Sequence, residues 1–128
     1  MDVIEKDMEK ALRAITSMIS RTEKSKEKFE QGTSQHTLQK NRLKALNIAS
    51  SLISKGIAES DALDCYTEED LKNALAPITS LISKSEKAQA KLTQGTWQHT
   101  MLNNNIKALN MALPLLTKAL SEINAKSR

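Results

Sequence analysis

Apolar and small side chains recur along this chain in steps of three and four. One series runs through Ile4, Met8, Ala11, Ile15, Met18, Thr22, Ser25 and Phe29. Another runs through Leu71, Ala74, Ile78, Leu81, Ser85, Ala88 and Leu92. Heptad-like spacing of this kind holds a stripe on one helix face and suits packing against nearly parallel neighbours. Ile19 and Ile82 widen the two stripes, favouring a bundle over a two-stranded coil. Two more helices are predicted downstream. Leu38, Leu43, Ala45, Leu46, Ala49, Leu52 and Ile53 line one of them. Met101, Ile106, Ala108, Leu109, Ala112, Leu115 and Leu116 line the other, with Leu120 and Ile123 extending it.

The punctuation between these stripes is sparse and specific. Gln31-Gly32-Thr33 separates the first pair of helices and Gln94-Gly95-Thr96 the second. Glycine can take the left-handed conformation that ends a helix, and threonine is a good N-cap for the next one. Turns this short join antiparallel neighbours. A polar, acidic linker is expected from about Gly56 to Tyr66, with a short helical turn at Ala58–Leu63. Thr67-Glu68-Glu69-Asp70 then starts the third helix. Pro77 and Pro114 fall at one level of the second hairpin, where they are expected to bend both helices together, unless Pro77 instead opens a new helix after a break at Ala76.

The chain also contains itself twice. Leu12 to Lys55 returns without a gap as Leu75 to Lys118, a shift of 63 residues, with about half the positions identical. The match is densest at Gln31-Gly32-Thr33-Ser34-Gln35-His36-Thr37 against Gln94-Gly95-Thr96-Trp97-Gln98-His99-Thr100, and at Lys44-Ala45-Leu46-Asn47 against Lys107-Ala108-Leu109-Asn110. The expected fold is therefore all-α: an up-down-up-down four-helix bundle made of two tandem antiparallel hairpins. Repeat one covers about residues 5–57 and repeat two about 67–125. Simple threading gathers both Gln-Gly-Thr turns at one end. A swapped or side-by-side dimer of the same hairpins is the alternative.

Composition narrows the class. The 128 residues are 39% hydrophobic and 27% charged, which suits one modest globular core. Phe29, Tyr66 and Trp97 are the only aromatics, so that core is aliphatic. The lone Cys65 suits a reducing compartment, and no apolar run approaches a membrane span, so a cytoplasmic, non-membrane protein is expected. The N-terminus lacks the basic-then-apolar pattern of a signal peptide.

The net charge of +4 is unevenly spread. Residues 21–44 carry seven basic and three acidic side chains, and residues 84–107 carry four and one. Acids at the starts of helices one and three and bases near their ends complement the helix dipoles, which is the plainer reading of this pattern. The sharper reading is a basic tip for an anionic partner, with Lys24, Lys28, Lys40, Arg42, Lys87, Lys91 and Lys107 as phosphate contacts.

Chemistry is otherwise scarce. His36 and His99 occupy matching positions as the third helical residue after each cap. No His, Cys or carboxylate at helical spacing completes a zinc site around them, so neither metal nor cofactor is expected. Asn47 and Asn110 recur inside helices and are either buried polar residues that fix register or leftovers of a recent duplication. Trp97 replaces Ser34. An indole there is expected to fold over Leu92 and Met101; left exposed it would anchor a partner or stack on a base. No nucleophile elbow, phosphate loop or His-Glu-x-x-His motif occurs, so no catalytic residue is proposed. The sequence points to a non-enzymatic interaction or regulatory module with a protein partner or a second copy of itself. Its candidate tip is Gln35, His36, Trp97, Gln98 and His99. Nucleic-acid or polyanion binding is the alternative, and an enzyme with an unconventional bundle site the third class.

Overall fold

A computed structural model describes the backbone of residues 3–58 and 66–126 and the side chains of residues 6–54 and 66–123. Four helices account for nearly all of it: α1 (Val3–Glu27), α2 (Ser34–Ala58), α3 (Glu68–Ala90) and α4 (Trp97–Lys126). No strand occurs among the described residues. The expected helical turn at Ala58–Leu63 lies outside them, apart from Ala58, which ends α2. Cys65 lies outside them as well.

Each local signal works as its chemistry requires. Gly32 and Gly95 adopt φ of 88° and 90°, the left-handed region. The Thr33 and Thr96 hydroxyls accept from the backbone N–H groups of His36 (3.2 Å) and His99 (3.3 Å), capping α2 and α4. At the start of α3, Thr67 and Asp70 form a reciprocal capping box. Pro77 and Pro114 both lie inside unbroken helices, so α3 does not restart at Pro77.

The helices pack α1 on α2, α3 on α4, α1 on α4 and α2 on α3. A fifth contact joins α2 to α4 directly, whereas α1 and α3 do not meet. The repeat-equivalent helices α2 and α4 are therefore central and α1 and α3 peripheral. The core is doubled in the same way. Ala11 and Ala74, Ile15 and Ile78, Leu46 and Leu109, Ala49 and Ala112, and Ile53 and Leu116 are all buried.

That core fills only part of the helix length. No residue between Ile19 and Asn41, or between Thr79 and Asn104, is buried. The turn-proximal halves are two-helix arms standing off the core, with Phe29, Leu38, Leu92 and Trp97 exposed on them. This corrects the stripe read from sequence: Leu38 is 46% exposed, and Ile48 is fully buried on the same helix.

Candidate functional site

The buried polar positions are not the expected ones. Asn47 and Asn110 are exposed. Arg42 and Asn105, themselves repeat mates, are buried instead, at the base of each arm. The physical reason is the helical period. Position 42 lies four residues before Leu46 and seven before Ala49, on the core stripe, while position 47 lies off it. The candidate anion contact Arg42 is thus largely buried. Its Nε is enclosed and has no hydrogen-bond partner.

The basic tip is also redistributed. Gly95 and Trp97 line a cleft with Ser17, in the middle of α1. From Ser17, α1 runs on for about 15 Å before the first turn begins. The two Gln-Gly-Thr turns are therefore held apart. Lys24, Lys28 and Lys40 belong to one arm and Lys87 and Lys91 to the other, while Lys107 lies further along α4. His36 and His99 are half-buried beside their separate caps, with Gln98 half-buried and Gln35 exposed next to them. On the second arm, the Gln89 amide donates to the His99 carbonyl oxygen and to Asn103 Oδ1, each at 3.4 Å, tying α3 to α4.

Two related clefts flank the central pair of helices. Between α1 and α4, adjoining cavities of about 720 and 580 Å³ share Lys10 and Asn104. Their lining steps backward along α1 as it steps forward along α4: Ser17 lies with Trp97, and Asp7 with Asn110 and Met111. Between α2 and α3 lies a cavity of about 490 Å³. Every residue lining it has its counterpart, 63 positions away, lining the α1/α4 pair.

The chemistry of the two clefts differs. In the α2/α3 cleft, Lys44 Nζ donates to Asp70 Oδ1 at 2.7 Å. That contact, and after it the Thr67 backbone N–H, lowers the Asp70 pKa below the usual 3.8. The counterparts Lys107 and Asp7 line the α1/α4 cleft without forming the matching ion pair. Lys10 and Arg13 stand there in place of Asn73 and Ala76. Arg21 Nη2 donates to Met101 Sδ at 2.8 Å, bracing α1 against α4. At the end of this cleft Trp97 is 70% exposed, contrary to the expectation that it closes the bundle. Residue type had marked Trp97 and Lys107 for attention. Lys10 and Arg13 were missed, although comparing the aligned repeats at those positions would have shown the gain of charge.

Among the described residues no helix is long and apolar enough to cross a membrane, and no group of three or more His, Cys, Asp or Glu could hold a metal. Compared with known proteins, the chain matches no protein family, no curated protein and no solved structure.

Proposed function

We propose that this chain is a non-enzymatic helical interaction module, a duplicated hairpin threaded up-down-up-down, that engages a protein partner through the α1/α4 side. The observation that carries this reading is Trp97. A large indole left 70% exposed beside a cleft contributes little to the fold and has the character of a binding anchor. The aliphatic core is complete without it. Self-association is the special case in which the partner is a second copy.

The test is quantitative capture from nuclease-treated lysate with the parent protein and with Trp97→Ser, the residue of the other repeat. The expected result is a discrete protein partner, or self-association by sedimentation, that the variant loses by about tenfold or more. An identical captured set and an identical sedimentation profile for parent and variant would remove the support for this reading.

A second reading keeps one specific observation. Trp97, sharing its cleft with Lys10 and Arg13 and with Lys107 further along α4, could stack on a base while the cations meet phosphates. Titrating single- and double-stranded nucleic acid against Trp97 fluorescence at low and physiological salt tests it. Such binding would be saturable and weaken steeply with salt.

A further inference from the structure

The duplication supplies an internal control for every surface position, because each residue can be compared with its mate in the same fold. Most of the α2/α3 cleft is electrostatically closed. Its one cation, Lys44, is held by its one acid, Asp70. The α1/α4 cleft carries three cations, Lys10, Arg13 and Lys107, against the single acid Asp7. Its floor contains Ala11, Ala14 and Ala108. The side chain at its open end has changed from Ser34 to Trp97.

Resting on the interaction-module reading above, we infer that the α1/α4 cleft docks an acidic segment of a protein partner, with an apolar side chain of that segment against Trp97 and its carboxylates against Lys10, Arg13 and Lys107. Charge complementarity selects the sign of the occupant. The apolar floor and single anchor select its class. A nucleic-acid strand is held by successive stacking aromatics along a basic track, whereas this cleft offers one aromatic and places Asp7 in its path. The alanine floor lets a peptide backbone approach both helices closely. The cations are surface groups on α1 and α4, so they add attraction and specificity without the cost of a buried charge. The α2/α3 cleft, its lysine already paired, lacks this capacity.

The experiment selects a displayed random-peptide library on the full chain, then titrates an enriched peptide by Trp97 fluorescence. Three proteins are compared: the parent; Lys10→Asn with Arg13→Ala, which installs the residues of the other cleft; and Lys40→Asn with Lys87→Asn, which removes equal charge from the arms. Circular dichroism checks that each is folded. The expected result is enrichment of acidic sequences with an apolar residue. The cleft variant should lose about tenfold or more in affinity and flatten the salt dependence, while the arm variant stays within about twofold. Enrichment of neutral or basic sequences, no enrichment, or equal losses in both variants would overturn the inference. So would oligothymidylate binding more tightly than any enriched peptide at physiological salt. If the library yields nothing while Trp97→Ser still abolishes capture of a partner from lysate, the acidic segment fails and the interaction module stands.

Discussion

At the scale of single residues, the two buried polar positions say most about how this sequence meets its fold. Arg42 keeps its alkyl stem on the core stripe but encloses an Nε that makes no hydrogen bond. An unsatisfied buried donor costs more than the packing of its stem requires. Arg42→Met is therefore expected to raise stability by about 1 kcal/mol in chemical denaturation; a loss of that size would mean that the guanidinium is needed where it sits. Asp70 makes a pH prediction. Its pKa is lowered in the folded state by Lys44 and then by the Thr67 N–H, so its contribution is present above 3.8 and is lost as pH falls below that value. Asp70→Asn should be less stable than the parent at neutral pH, and the gap between the two proteins should close in acid below 3.8. A gap that persists unchanged in acid would show that the ionised form is not what stabilises α3. Arg42 also shows why residue type misleads. Its charge marked it as a surface contact, while the spacing to Leu46 and Ala49, equally present in the sequence, placed it inside.

At the scale of elements, the helices and their ends were legible because their causes are local. Three-and-four spacing, a glycine after each first helix and a threonine before each second one act within a few residues. Gly32 and Gly95 have open space where a Cβ would stand, so an alanine there meets no clash and suffers only the left-handed backbone. Gly32→Ala and Gly95→Ala are each expected to cost roughly 1 kcal/mol, and the double variant about the sum, because the turns are held apart. A neutral effect at either site would show that the turn relaxes into another conformation. The reading that placed both prolines inside helices holds, and the alternative break at Ala76 does not. Both sit within continuous helices, supported by packing that the local rule does not include.

At the scale of the whole molecule, the sequence foretold four packed helices but not how they are set against each other. That setting depends on which rows of side chains interlock between α2 and α4, a contact between residues far apart in the chain. As a result the turns do not gather into one basic tip, the arms stand off the core, and Trp97 remains exposed beside α1. The candidate site moved accordingly, from the turn end to the α1/α4 cleft. The two clefts are lined at matching positions 63 residues apart, and a few of those positions carry different side chains. The central claim is that the unequal one is the binding surface. It is tested most directly by placing a photo-cross-linking residue at position 101 in one protein and at its mate, position 38, in another, and irradiating both in cells. Met101 and Leu38 line the two clefts at equivalent points. The account predicts a discrete protein adduct from position 101 and none from position 38. Equal adducts from both positions, an adduct from position 38 alone, or cross-linking to nucleic acid would contradict it.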